Sequence, residues 1–109
     1  MTDNFGKYQP HFDNAKGKRF REITENMADL YERKNKDYGD SFSNSLDEFG
    51  VIAGVVRLSD KMSRIKALTK NGEQLVLDES IKDTLQDLAN YSIMTMMWLE
   101  GKNRSESVI

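Results

Sequence analysis

The sequence predicts an all-α fold, and three observations carry that prediction. Apolar residues recur every three or four positions over three long stretches. No region sustains the alternation of a strand. Glycine-bearing turn signals, at Gly39, Gly50, Asn71-Gly72 and Gly101, punctuate the periodic stretches. Three long helices and one short one follow from this pattern.

Residues 1–17 are polar, with Pro10 and two glycines, and read as an N-terminal arm. Residues 18–36 then show helical spacing. Phe20, Ile23, Met27, Leu30 and Tyr31 form the expected core stripe, while Glu22, Glu25, Asp29 and Glu32 form an acidic one on the far side. The acidic stripe is either a solvated face or a source of metal ligands for a neighbouring helix. Lys36-Asp37-Tyr38-Gly39-Asp40-Ser41 stops the helix, Gly39 being suited to a left-handed cap. This loop is either a plain turn or a presenter of ligand contacts. A short helix follows over residues 43–49, with Phe42, Leu46 and Phe49 expected inward and Gly50 as its terminator.

The next helix covers residues 51–70. Val51, Val55, Leu58, Met62 and Ile65 form its expected core stripe. Opposite lie Arg57, Asp60, Lys61 and Arg64, neighbours at spacings of three and four. One acid among three cations leaves an excess of positive charge. That excess could grip a phosphate, neutralise acids on another helix, or merely form an exposed salt-bridge stripe.

Asn71-Gly72 marks a turn and residues 73–77 a short connection, with Leu75 and Leu77 tucked against the bundle. The last helix is expected from Asp78, as N-cap, to about Leu99. Glu79 and Asp83 suit the dipole of its first turns. Asp83, Asp87 and Asn90 share one stripe, which runs on into Met94 and Met97. Carboxylates leading into an apolar stripe need cations, a metal or a polar ligand as partners. The opposite stripe, Ile81, Leu85, Leu88, Ser92, Met96 and Leu99, reads as core. Beyond Ile93 the helix is apolar nearly all round, the mark of a segment central to a bundle or an oligomer. Gly101 is expected to end it, leaving residues 101–109 as a polar tail.

Bulk properties narrow the function. At 109 residues the chain is expected to be a single domain, residues 18–100, with a core modest enough to be completed by oligomerisation. A net charge of −2 provides no basic field, so direct nucleic-acid binding is not expected. Without cysteine, and with His11 alone in the arm, thiolate and histidine metal sites are out; a hard cation, magnesium or manganese, on oxygen ligands is the remaining option. No apolar run spans a membrane and no signal-peptide architecture is visible, so the expected location is the cytoplasm.

Three fragments together carry a resemblance: Lys36-Asp37-Tyr38-Gly39, Arg57-Leu58-Ser59-Asp60-Lys61-Met62-Ser63-Arg64, and residues 79–91 from Glu79 to Tyr91. Their order and spacing resemble the nucleotide-modification-associated domain of phages and prophages, over roughly residues 23–99. That family is similar in turn to the MazG-like all-α nucleotide pyrophosphohydrolases. The resemblance implies a MazG-like helical bundle, a homodimer or homotetramer, and magnesium-dependent cleavage of a (deoxy)nucleoside triphosphate to monophosphate and pyrophosphate. It implies Asp60, Asp83 and Asp87 as catalytic carboxylates, and Glu79, Asp83 and Asp87 as metal ligands. Asp37, Tyr38, Arg57, Lys61, Arg64 and Asn90 are the expected nucleotide contacts. The earlier metal motif of those relatives pairs two glutamates three residues apart, whereas here Arg57 and Asp60 stand at that spacing, leaving one acid. Two other functions fit the same residues: a non-catalytic nucleotide-binding accessory module, and a structural helical oligomerisation protein. If acids and bases pair across a subunit interface, the site is shared between chains.

Overall fold

The computed structural model describes residues 14–38, 40–70 and 74–108, with the side chains of Asp37, Tyr38, residues 74–77 and residues 103–108 left aside. Among the described residues there are four helices and no strand. They are α1 (Ala15–Tyr38), α2 (Ser41–Phe49), α3 (Ile52–Lys70) and α4 (Gln74–Val108). The expected all-α fold of three long helices and a short one is thus the observed one. The chain forms two compact units, one ending at Arg33 and one beginning at Lys34.

In the first unit, α1 begins earlier than the sequence suggests because Asn14 caps it. Its Oδ1 accepts from the backbone N–H of Lys16 at 3.0 Å and of Gly17 at 3.2 Å. Residues 15–17, expected in the arm, are therefore helical. The acidic stripe Glu22, Glu25, Asp29 and Glu32 is exposed, and Glu22 pairs with Arg19 at 3.4 Å. Met27 is buried, but Phe20 and Ile23, expected in the core, are exposed. Periodicity identifies an apolar face without showing how far its cover extends.

In the second unit, α3 and α4 form an antiparallel hairpin. Its register is read from three contacts: Gly54 against Thr95, Arg57 over Tyr91, and Lys61 with Asp87. Residue numbers rise along α3 as they fall along α4. At Gly54 the helices come so close that a Cβ would stand 2.7 Å from Thr95 Oγ1 and 3.0 Å from its Cγ2. The facing surface of α4 carries Thr84 and Thr95, both buried. Their hydroxyls donate within their own helix, Thr84 to the Ser80 carbonyl and Thr95 to the Tyr91 carbonyl, each at 2.7 Å. Ser92 donates likewise to Leu88 at 2.8 Å. With their polar atoms satisfied, these small side chains form a smooth apolar seam.

α2 crosses this hairpin on one side. Leu46 is wholly buried and Phe42 nearly so. Phe42 meets Tyr91 edge-on, ring centroids 4.9 Å apart at 69°, and Trp98 Nε1 donates to Asp47 Oδ1 at 2.8 Å. Gly50 and Val51 separate α2 from α3. The Gly50 N–H donates to the Leu46 carbonyl at 2.7 Å, and the φ of 82° with ψ of −170° at Gly50 is a conformation open only to glycine. The first turn of α3 then starts at once, Ala53 N–H reaching the Gly50 carbonyl at 3.0 Å.

Several expectations need correction. α4 begins at Gln74, so Asp78 lies inside it rather than capping it, and the connection over residues 73–77 is helical from Gln74. α4 also runs through Gly101 to Val108, so the expected tail is helical over residues 101–108. Glycine stops a helix where it takes positive φ; among the described residues only Gly50 does so, and Gly101 stays right-handed. The stripes expected in the core are only partly covered: Leu58, Ile65, Ile81, Leu88 and Ser92 are half-buried, while Val51 just before α3, Val55 and Met62 on it, and Leu85, Met96 and Leu99 on α4 are exposed, as is Phe49. The helices meet closest at Gly54 and Thr95, and the exposed aliphatic residues stand about a quarter turn away. Met97, expected toward the buried end of the acidic stripe, is also exposed. Gly39, Asn71-Gly72 and His11, and the side chains of Leu75 and Leu77, lie outside the described residues.

Gly54→Ala gains about 1 kcal/mol of helix propensity but overpacks the seam, at a cost of about 1–3 kcal/mol. The expected result is a net loss of stability, larger for Gly54→Val. Adding Thr95→Ala, which removes the two closest atoms, should recover most of it. Thermal or urea denaturation of the single and double variants reads the coupling.

Candidate functional site

Arg57 and Lys61 stand four residues apart on α3, which puts them one above the other on one helix face. Both reach the same residue of α4. The Arg57 guanidinium carbon lies 5.6 Å from the Tyr91 ring centroid and the Lys61 Nζ 5.9 Å from it. A phenol ring attracts cations over its face through its quadrupole. Lys61 also donates to Asp87 Oδ2 at 3.2 Å, one turn before Tyr91 on α4. Tyr91 also meets Phe42, the two rings packing edge to face. Two cations, one acid and a fixed ring therefore form one cluster where α2, α3 and α4 meet.

Arg57 also lines an open groove of about 400 Å³ between α2 and α3. Phe42, Phe49, Ile52 and Val56 supply its apolar wall, and Ser45 and Asp60 its polar edge. The exposed Phe49 thus faces a cleft rather than the core. An apolar cleft with a few convergent polar groups at one end is the usual form of a small-molecule site, and this volume lies in the ordinary range.

The structure brings together four residues singled out from the sequence. Arg57, Lys61 and Asp87 are in the cluster, and Asp60 is on the groove wall. Asn90 is half-buried on α4, while Arg64, Asp83 and Glu79 are exposed. The side chains of Asp37 and Tyr38 lie outside the described residues, although their backbone forms the last turn of α1. Magnesium chemistry of the MazG-like kind needs several carboxylates converging on one ion. Among the described residues no three acidic or histidine side chains gather in that way. Asp87 faces an ammonium group rather than other acids. Of the contributors, Tyr91 and the groove phenylalanines were not marked as site residues by the sequence reading. The readable signal was spacing: Tyr91 follows Asp87 by one turn, as Lys61 follows Arg57.

No helix among the described residues is long and apolar enough to cross a membrane. The family model "Nucleotide modification associated domain 1" matches residues 34–99. The match covers more than half of the chain, from the last turn of α1 through α2 and α3 to Leu99 of α4, and so includes the groove and the whole cluster. The chain belongs to the nucleotide modification associated domain 1 family. No curated protein and no solved structure matches it.

The Lys61–Asp87 pair is partly exposed, and pairs of that kind contribute about 0–1 kcal/mol. Asp87→Asn and Lys61→Met should therefore leave the melting temperature nearly unchanged, read by circular dichroism. A collapse of helix content in either variant would mark the pair as structural.

Proposed function

We propose that the second unit of this protein binds a nucleotide, its phosphates on Arg57 and Lys61 and its base in the groove of Phe42, Phe49, Ile52 and Val56. The observation that carries this reading is the placement of two cations over one fixed aromatic ring, Arg57 being shared with the apolar groove. Arginine offers a planar fork matched to phosphate oxygens, and lysine a mobile point charge. A phosphate can replace Asp87 as the partner of Lys61. The groove wall offers stacking and apolar contact to a base, and Asp60 at its edge is an acceptor for base or sugar donors. Family membership in nucleotide modification supports this ligand class. Within that setting the protein serves as a nucleotide-binding component of a phage or prophage DNA-modification system.

A second reading is hydrolytic: a MazG-like pyrophosphohydrolase using Asp60, Asp83, Asp87 and Glu79. Asp60 on the groove wall is the observation in its favour. In the binding reading, magnesium or manganese enters only as the nucleotide's own counter-ion, and Arg64 and Asn90 extend the contacts.

A thermal-shift panel against the common deoxynucleotides, with and without magnesium, tests both readings when pyrophosphate release is read from the same wells. A ligand that binds only the native state stabilises it, by about 2.7 kcal/mol at a hundred times its Kd. A shift without pyrophosphate is expected. Release of pyrophosphate would replace the binding reading by the hydrolytic one, and no shift with any nucleotide would overturn both. Arg57→Ala should weaken nucleotide binding roughly ten- to hundred-fold, the equivalent of one charge-assisted hydrogen bond of about 1.5–3 kcal/mol, with helix content intact. Under the hydrolytic reading, Asp83→Asn and Asp87→Asn abolish metal-dependent binding. Under the binding reading, Asp83→Asn leaves it unchanged.

A further inference from the structure

The polar edge of the α2–α3 groove offers acceptors. Ser45 donates its hydroxyl hydrogen to the Ser41 carbonyl at 3.2 Å, which leaves its oxygen as an acceptor. Asp60, as a carboxylate, only accepts. The two nearest cations on α3 are turned to α4, Arg57 to the Tyr91 ring and Lys61 to Asp87. No hydrogen bond or ion pair joins Asp60 to a described residue. An acid at the end of an apolar wall, within one turn of two cations and paired with neither, keeps its acceptor capacity for a ligand.

Position separates this acid from the phosphate grip. At 100° per residue, Asp60 and Lys61 lie on opposite sides of Arg57 around α3, about 60° and 40° from it. Ile52, Ala53 and Val56, which line the groove, fall on the Asp60 side; Gly54, which meets α4, falls on the Lys61 side. A ligand that spans the site meets cations on one side and a carboxylate on the other.

On the reading that the groove holds the base of a nucleotide, we infer that Asp60 selects that base as guanine. Among the common bases only guanine carries two adjacent donors on one edge, N1–H and the N2 amino group, and a carboxylate accepts both as a bidentate pair. Adenine and cytosine place a ring-nitrogen acceptor beside their amino group, and thymine flanks its one N–H with two carbonyls. Each of these turns lone pairs toward the carboxylate. The ring of Phe49, 63% exposed, gives the base a stacking surface beside Ile52 and Val56. A purine covers more of that wall than a pyrimidine does.

Isothermal titration calorimetry of the full chain with dGMP, dAMP, dCMP, dTMP and the deoxyinosine and deoxyxanthosine monophosphates tests the assignment. dGMP should bind roughly ten- to hundredfold more tightly than dTMP, the discrimination one bidentate pair provides. Deoxyinosine monophosphate, which lacks only the N2 amino group, should lose much of that advantage. Asp60→Ala should level the affinities without abolishing them, because the contacts of Arg57 and Lys61 with phosphate remain. Asp60→Asn replaces one acceptor by a donor, and xanthine replaces the N2 donor of guanine by a carbonyl. That variant should therefore prefer deoxyxanthosine monophosphate to dGMP, the reverse of the unaltered chain. Asp60 is exposed, so both variants should keep the helix content of the unaltered chain by circular dichroism. Equal affinities for all six ligands in the unaltered chain would overturn the guanine assignment and leave the nucleotide-binding reading standing. So would a guanine preference that Asp60→Asn does not change, or loss of all binding in a folded Asp60→Ala, which would put the acid at the phosphate instead. Absence of binding to any of the six would overturn both.

Discussion

Everything in the second unit is referred to one contact, the approach of Gly54 to Thr95. A glycine opposite a back-bonded threonine brings two helix backbones closer than any pair of larger residues would allow. That closeness decides which face of each helix is inside. It sets the antiparallel register, and the register in turn puts Lys61 beside Asp87 and Arg57 over Tyr91. The candidate site lies along the seam, on the side where α2 packs and Phe42 meets Tyr91.

The seam also explains why so much aliphatic surface is outside. Thr84, Ser92 and Thr95 return their hydroxyls to their own helix, and their methyl and methylene groups then pack without an unmet polar atom. Small residues fill the closest approach, and of the bulky ones that periodicity marks as core only Leu58, Ile65, Ile81 and Leu88 gain partial cover. Val55, Met62, Leu85 and Met96 are displaced to a second face, so a single chain holds two packing surfaces: one closed, the other open.

How far the sequence could be read follows from this. Helix number and type were legible because apolar spacing and glycine positions state them directly. Gly50 was correctly read as a terminator, since its left-handed φ admits almost nothing else. Gly101 was misread because glycine permits a stop without requiring one. The start of α1 could have been found in Asn14, a strong cap placed just before a helical run. The inward faces are only partly legible, because hydropathy ranks leucine and methionine above threonine, and it has no measure of a hydroxyl satisfied at short range. Of the site, Arg57, Lys61, Asp60 and Asp87 were found through charge and spacing. Spacing assigns Tyr91 no role, and Phe42 and Phe49 read as packing residues, because an aromatic residue in a helix shows no cation contact until its neighbours are placed. The carboxylates Glu79 and Asp83 were weighted by helical stripe alone, and a stripe does not say what stands across from it.

The chain's single tryptophan has a further consequence. Trp98 donates its indole N–H from α4 to Asp47 on α2, and Lys102 lies over its ring at 5.6 Å. The indole is therefore a native optical gauge of the gap between α2 and α4. Widening of that gap would release the indole N–H to water and move its emission to longer wavelength. Events in the neighbouring groove that displace α2 are thus recorded in the protein's own fluorescence, without a label.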